Sequence, residues 1–229
     1  MKALIRRIRK GFIALPSMGR ILAKSTPSFV EDIVDFVLEN PFIHPAQVRS
    51  EFIQLAGMIC NLKPKAALEI GTYGGGTLFA ICKLSDPEAT IISLDLPNGK
   101  WGGGYNSLQR FMFKRFAFGN QKLHFIRDDS HKPESRVKVE ANLQGRFLDF
   151  LFIDGDHSYH GVKQDFEMYS PLVRSGGLIA FHDIAEHQRI GYQDCEVSRF
   201  WEEIKSRLPH KEFIEDRAQG WAGIGVLQV

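Results

Sequence analysis

The sequence predicts an α/β domain with a mostly parallel sheet, and three observations support this fold class. Short apolar runs alternate with segments of helical periodicity along residues 61–229. The first run leads into a glycine-rich turn, and a glycine or a polar residue ends each of the first five runs. Alternating strands and helices build a parallel sheet through right-handed crossover connections. We assign residues 61–229 to this domain and residues 1–60 to a basic, helical extension that packs on it.

Two helices are predicted before the sheet begins. Ser28 is a candidate cap for the first helix, whose apolar residues between 30 and 37 recur at helical spacing. Apolar residues between 48 and 62 predict the second helix, which stops near Pro64. The segment that precedes both is strongly basic, because residues 1–25 carry seven lysines and arginines and no acid.

Five buried strands follow, and a helix over residues 78–84 connects the first two. The strands are predicted at residues 66–70, 90–94, 123–126, 147–153 and 177–181. Residues 212–216 and 223–229 predict an antiparallel pair that completes a seven-stranded sheet. Ligands of open α/β sheets bind at the carboxyl ends of the strands. The residues at those ends, which we expect to face one crevice, are Gly71, Asp95, Asp129, Asp154 and Asp183.

Composition and charge narrow the functional classes. The chain has a net charge of +2, but without residues 1–25 it carries 22 basic and 27 acidic residues, which argues against nucleic-acid binding. The apolar runs are too short for a membrane span or a secretion signal, and the three cysteines have no metal-binding spacing. We therefore expect a cytoplasmic protein with free thiols. Residues 1–25 fit a helix that contacts anionic membranes, or one that packs on this chain or on a second subunit of a homo-oligomer.

The turn after the first strand reads Leu-Glu-Ile-Gly-Thr-Tyr-Gly-Gly-Gly-Thr at residues 68–77. Tyr73 stands where a dinucleotide fingerprint has its second glycine, and the GK[ST] of a phosphate-binding loop is missing. The pattern E-x-G-x-x-x-G resembles the first motif of class I S-adenosylmethionine (SAM)-dependent methyltransferases, in which an acid such as Glu69 can orient the ammonium of SAM. The candidate SAM-binding residues of this motif are Glu69, Gly71, Thr72, Tyr73, Gly74, Gly75 and Thr77.

Acidic residues at the next two strand ends extend the predicted donor site. Asp95 ends the second strand, where a carboxylate can accept both ribose hydroxyls. Asp129 and Ser130 follow the third strand, at the place where such enzymes bind the adenine amino group, and Asp128 is the alternative. Asp154, at the end of the fourth strand, is a further candidate for contact with SAM.

Longer segments resemble methyltransferase family 24, whose members are class I SAM-dependent O-methyltransferases and their relatives. The similarity covers residues 48–183 and is carried by residues 95–97, 102–105, 127–131, 152–166, 171–172 and 176–183. The resemblance implies a Rossmann-like class I methyltransferase fold. It also implies similarity to macrolide sugar O-methyltransferases and to cephalosporin-hydroxylase-type proteins.

The same resemblance implies a divalent metal, Mg²⁺ or Mn²⁺, beside the methyl group. Asp154, His182 and Asp183 are the candidate ligands, and His157 is the candidate base, with Asp154 as its catalytic neighbour. His182 departs from the acid that metal-dependent relatives carry, and imidazole suits Mg²⁺ poorly and Mn²⁺ or Zn²⁺ better. Three alternatives therefore stay open: a different metal, a role for His182 as base or orienting residue, or no metal.

The sequence thus predicts an O-methyltransferase for a small hydroxylated, sugar-like acceptor, with SAM as donor. The alternative is a SAM-binding domain that does not catalyse a reaction and has a binding or regulatory role. His157, Asp154 and Asp183 favour catalysis, because a binding module has no need of them.

Overall fold

The computed structural model describes residues 27–101, 103–188 and 194–229. The basic segment 1–25 lies outside these residues, so its membrane or subunit contacts stay predictions. The described helices are α1 (Pro27–Glu39), α2 (Arg49–Leu62), α3 (Gly76–Leu84), α4 (Ser107–Phe113), α5 (Pro133–Leu143), α6 (Tyr159–Tyr169) and α7 (Val197–Ile204). The strands are β1 (Ala66–Ile70), β2 (Thr90–Leu94), β3 (Lys122–Ile126), β4 (Leu148–Ile153), β5 (Val173–His182), β6 (His210–Phe213) and β7 (Ile224–Gln228).

The strands form one seven-stranded sheet in the order β3-β2-β1-β4-β5-β7-β6. Neighbours among β1 to β5 run parallel, whereas β7 runs antiparallel to both β5 and β6. The predicted α/β fold class and the antiparallel pair at the end are therefore confirmed. The strand order reverses between β1 and β4, and open α/β sheets bind ligands in the crevice at the carboxyl ends of the strands at such a reversal.

The predicted strand bounds agree with the structure for β1 and β2 and differ most for the edge strand β6 and for the start of β5. All five residues of β1 and of β2 are buried, and both strands have the predicted bounds. The edge strand β6 was misplaced, because its sequence His-Lys-Glu-Phe is exposed or half-buried and lacks an apolar run. β5 begins four residues early at Val173, where its pairing with β4 is irregular.

Two hydrophobic layers enclose the sheet. Phe150 and Phe152 of β4 join a cluster with α1, α2 and α3, while Leu151 and Ile153 face a cluster with α5, α6 and α7. This alternation is what a strand covered on both faces requires. Both faces of the sheet that carries the candidate site are therefore covered.

Helix α2 is joined to the C-terminal strands by a buried carboxylate. Glu51 accepts hydrogen bonds from the backbone amides of Glu215 and Gly223, at 3.0 and 2.9 Å, and from the Gln219 side chain at 2.8 Å. The predicted division at residue 60 stays a prediction. Among the described residues, no helix is both long enough and apolar enough to cross a bilayer.

Candidate functional site

A cleft of about 380 Å³ lies at the carboxyl ends of β1 to β4. It brings together segments that are far apart in sequence, as the predicted crevice requires. Its walls are formed by Ile70, Gly71, Tyr73, Leu94, Asp95, Leu96, Gly99, Lys100, Trp101, Gly103, Asp128, Asp129, Ser130, His131, Asp154, Gly155, Asp156, His157 and Ser158.

The glycine turn after β1 allows the first strand end to approach the fourth. Gly71 has a φ of +86°, and a Cβ at this position would lie 1.9 Å from the carbonyl oxygen of Asp154. Tyr73, also at positive φ, is 56% exposed and lines the cleft. Gly74 lies against the backbone of His44 instead, where its Cβ would be 2.6 Å from the carbonyl oxygen. Three further residues of the predicted donor motif, Thr72, Gly75 and Thr77, are likewise absent from the cleft wall.

Glu69 lies beneath the cleft and is fully buried. Thr72 Oγ1 donates a hydrogen bond of 2.7 Å to Glu69 Oε2, while Glu69 Oε1 is buried without a hydrogen-bond partner among the described residues. Burial raises the pKa of Glu69 well above its ordinary value, and the charges of Asp154 and Asp95 raise it further. Glu69 therefore shapes the floor of the site, and its contact with the ammonium of SAM stays a prediction.

Asp95 faces the cleft from the end of β2 and is only 4% exposed. Burial raises its pKa to about 6, although the backbone amides of Gly104, Tyr73 and Thr72 partly oppose this. Its Oδ2 atom is buried without a hydrogen-bond partner among the described residues. A Cβ on Gly103 would lie 2.6 Å from Asp95 Oδ1, so the glycine loop passes directly over this carboxylate. Asp95 thus presents an unsatisfied acceptor to a ligand that brings hydroxyl donors.

The structure at the end of β3 distinguishes Asp129 from Asp128, the two candidates for contact with the adenine amino group. Asp128 accepts hydrogen bonds from Lys132 at 3.0 Å and from Lys138 at 2.6 Å, and these contacts hold its pKa well below the ordinary range. The Asp129 carboxylate accepts a hydrogen bond from the backbone amide of His131, at 2.9 Å, and lies 3.9 Å from Nδ1 of the His131 ring. Asp129 is therefore better placed than Asp128 to accept a hydrogen bond from a ligand.

The ends of β4 and β5 bring the predicted metal ligands together. His182 Nδ1 lies 3.4 Å from Asp154 Oδ1 and 3.3 Å from Asp183 Oδ1, and ligand atoms of all three residues fall within 4.8 Å of one another. His157 contacts both carboxylates: its Nδ1 is 2.6 Å from Asp183 Oδ2, and its Nε2 is 3.7 Å from Asp154 Oδ1. Asp154 and His157 line the cleft, whereas His182 and Asp183 lie behind them.

Two further residues join this cluster, and neither was predicted from the sequence. His187 Nε2 lies 2.9 Å from Asp183 Oδ1, and Cys195 contacts both His157 and His187. Both residues lie in the connection between β5 and α7, at positions without any recognisable metal spacing. The only available signal was their proximity in sequence to the His-Asp pair that ends β5.

The buried carboxylate of Asp183 controls the protonation of its neighbours. Burial disfavours the imidazolium form of His157, yet contacts with Asp183 and Cys195 outweigh it and raise the pKa of His157 to about 10. The same balance raises the pKa of His187 to about 9. Conversely, Asp183 has a pKa well below its ordinary value, because contacts with three histidines overcome the burial that would raise it. The cluster thus concentrates negative charge that attracts protons or a metal cation.

Comparisons with known proteins identify the family to which the chain belongs. A family model for a methyltransferase domain matches residues 68–184, which is just over half of the chain. Protein R132 of Acanthamoeba polyphaga mimivirus is 46% identical over 121 residues, and caffeoyl-CoA O-methyltransferase of Stellaria longipes is 25% identical over 150 residues. These matches cover 53% and 64% of this chain and span only 52% and 57% of the relatives' own lengths.

A solved structure shows the same fold at low sequence identity. The O-methyltransferase TomG from Streptomyces achromogenes, in complex with SAM, superposes with a TM-score of 0.55 at 13% identity. The alignment covers 90% of this chain and 91% of TomG. The fold is therefore the Rossmann-like fold of class I methyltransferases, and the chain belongs to methyltransferase family 24.

Proposed function

We propose that this protein transfers the methyl group of SAM to a hydroxyl oxygen of a small, sugar-like acceptor. The observation that carries the proposal is that one cleft has two chemically different ends. Asp95 and Asp129 offer acceptors for the ribose and adenine of the donor, while Asp154 and His157 stand where a proton can be removed from an acceptor. Methyl transfer needs both functions within one enclosed space.

The donor end has the polarity that SAM requires. Asp95 Oδ2 has no hydrogen-bond partner among the described residues, so two ribose hydroxyls would satisfy it at little cost. Asp154, whose backbone lies against Gly71 of the glycine turn, adds a carboxylate to this part of the cleft, which favours the positively charged groups of the donor. TomG, which shares the fold, was crystallised with SAM.

The metal hypothesis can be tested against the donor set that the chain presents. Asp154, His182 and Asp183 supply two carboxylates and one imidazole, with ligand atoms within 4.8 Å of one another. This set suits Mn²⁺ better than Mg²⁺, because Mg²⁺ prefers oxygen ligands throughout. When bound, such a cation supplies a Lewis acid that lowers the pKa of the acceptor hydroxyl.

The chain's own residues define the remaining chemistry. Asp183 holds His157 through Nδ1, so that the ring is fixed beside the cleft. With a pKa near 10, His157 carries a proton at neutral pH, so it must release that proton to solvent before it can act as a base. A cation held by Asp154, His182 and Asp183 would favour this release, because it would neutralise the adjacent carboxylates. The acceptor proton then passes to His157, the acceptor oxygen forms a bond to the methyl carbon, and the carbon–sulfur bond breaks to leave S-adenosylhomocysteine.

Calorimetric titration with SAM and with S-adenosylhomocysteine tests the donor site, in EDTA, in Mg²⁺ and in Mn²⁺. We expect micromolar affinity for SAM, and Asp95→Ala should weaken SAM binding more than methionine binding, because methionine lacks the ribose. The absence of binding in all three conditions would overturn the proposal.

A methyl-transfer assay with hydroxylated acceptors separates the enzyme from the alternative SAM-binding module. We expect turnover that His157→Gln reduces by at least about 100-fold, the usual contribution of a general base. SAM affinity should change little in that variant, because His157 faces the acceptor end. SAM binding without turnover on any acceptor of the panel would favour the binding module.

A further inference from the structure

A thiol belongs to the polar cluster behind the cleft. Cys195 is 7% exposed and Asp183 is 4% exposed. The Sγ atom of Cys195, a ring nitrogen of His157 and a carboxylate oxygen of Asp183 all lie within 4.8 Å of one another. This set is distinct from the one formed by Asp154, His182 and Asp183, although both sets share Asp183.

The backbone fixes these three residues relative to one another. The amide of Glu196, next to Cys195, donates a hydrogen bond of 2.8 Å to the carbonyl oxygen of His157. On the opposite side, the amide of Ala222 donates to Asp183 Oδ1 at 3.2 Å. Ligands held on such connected segments lose little conformational entropy when they bind an ion.

The ligand atoms of His157 and Cys195 lie against polar neighbours. His157 Nδ1 is buried and makes no aligned hydrogen bond within the described part of the chain, although Asp183 Oδ2 lies 2.6 Å away. Cys195 contacts the side chains of His157 and His187. A thiolate is the form that binds metals.

We propose that Cys195, His157 and Asp183, with His187 beside them, form a second metal site that takes Zn²⁺ or another thiophilic divalent ion in preference to Mg²⁺. A thiolate and imidazoles are the ligands that Zn²⁺ prefers, and Mg²⁺ avoids them. In a tetrahedral zinc site neighbouring ligand atoms are roughly 3.4 Å apart. Ligand atoms that already lie within 4.8 Å of one another can reach this spacing by small side-chain adjustments.

The site has a consequence for catalysis that rests on the proposed function. An ion held by His157 and Asp183 occupies the nitrogen and the carboxylate that the proposed base needs. Zn²⁺ should therefore inhibit methyl transfer, whereas Mn²⁺ at Asp154, His182 and Asp183 should support it. Binding at the thiol site itself does not depend on whether the protein is a methyltransferase.

Co²⁺ substitution tests the site directly, because cobalt bound to a thiolate gives a charge-transfer absorption in the near ultraviolet. We expect this band when Co²⁺ is added to the full-length wild-type protein, and one equivalent of Zn²⁺ should remove it while excess Mg²⁺ should not. Cys195→Ser should abolish the band and weaken Zn²⁺ binding by at least about tenfold, the minimum cost of disturbing a metal site. Cys60→Ser, which changes a half-buried thiol on α2, is the matched control and should retain both.

A second control distinguishes the two metal sets. Asp154→Asn disrupts only the set that contains His182, so the cobalt–thiolate band should persist in this variant. The absence of the band in the wild-type protein would overturn the proposal without reference to any variant. Zn²⁺ affinity that is equal in Cys195→Ser and Cys60→Ser would overturn it as well.

The two proposals can fail separately. A cobalt–thiolate band in a protein that neither binds SAM nor transfers a methyl group would leave the metal site intact and remove the methyltransferase function. Methyl transfer that is insensitive to Zn²⁺, in a protein without the band, would support the methyltransferase function and remove the metal site.

Discussion

Replacing Asp95 by asparagine should stabilise the SAM-free protein while weakening SAM binding. The carboxylate is buried, and its pKa of about 6 lies above the ordinary 3.8. At about 1.4 kcal/mol per pKa unit, ionised Asp95 costs the folded state about 3 kcal/mol at pH 7. Asparagine removes this charge at nearly the same volume. We expect Asp95→Asn to raise the free energy of unfolding by about 1–3 kcal/mol. The gain can be smaller than 3 kcal/mol because the amide accepts fewer hydrogen bonds from the surrounding backbone donors.

The sign of the pH dependence follows from the raised pKa. The cost is absent below pH 3.8, where Asp95 is protonated in both the folded and the unfolded chain, and it is complete above pH 6. The stability difference between Asp95→Asn and the wild type should therefore fall by about 2 kcal/mol between pH 7 and pH 4.5. Urea denaturation of both SAM-free proteins at the two pH values measures it. A variant that is less stable than the wild type at pH 7, or a difference independent of pH, would refute the reasoning.

Three other predictions follow from the same residues and their neighbours. If only the ionised carboxylate of Asp95 binds ribose, SAM affinity should fall about tenfold from pH 7 to pH 5 in calorimetry, and Asp95→Asn should show no such change. Gly71→Ala should cost more than about 4 kcal/mol in urea denaturation, because its Cβ would meet a backbone oxygen at 1.9 Å. Gly57→Ala, in α2 with open space around the Cβ, is its control and should stabilise by about 0.5–1 kcal/mol. Asp183→Asn should lower the pKa of His157 from about 10 towards 6.5 in NMR titration. The wild type should lose stability as the pH rises through 10, because His157 then releases its proton, and the variant should not show this loss.

The sheet could be predicted from the sequence because its central strands are buried on both faces. Every residue of β1 and of β2 is buried, and such strands appear as short, continuous apolar runs. The exposed edge strand β6 has no such run, so its bounds required the structure. Its position depends on pairing with β7, which is a tertiary contact.

The donor end of the site was predictable for a topological reason. Parallel strands end at one edge of the sheet, so Asp95, Asp129 and Asp154 could be grouped without coordinates. How deeply each side chain is buried could not be predicted from the sequence. Glu69 belongs to the same motif as the cleft-lining Tyr73, yet it is wholly buried behind the turn. Likewise, Gly74 packs against the backbone of His44, a contact between segments that local sequence does not connect.

His187 and Cys195 show where sequence reasoning ends. Each has an ordinary local sequence, and their role depends on the path by which the chain returns from β5 to α7. The contact of Cys195 with His157 joins residues that belong to different connections of the sheet. A rule based on the sequence spacing of metal ligands cannot identify such a pair.

Asp183 links these observations, because its conformation is unfavourable on its own. It adopts a φ of 61°, in the left-handed region that costs a non-glycine residue of order 1 kcal/mol, and it buries a carboxylate. Contacts with His157, His182 and His187 offset that cost, so the cluster is stable only while positive charge surrounds the carboxylate. Protons supply the charge in the metal-free protein, and a divalent ion can replace them. Metal binding should therefore be coupled to proton release, and calorimetric titrations with Zn²⁺ in buffers of different ionisation enthalpy should give different apparent enthalpies. Equal enthalpies in all buffers would mean that the histidines are already neutral, and the electrostatic account of the cluster would then be wrong.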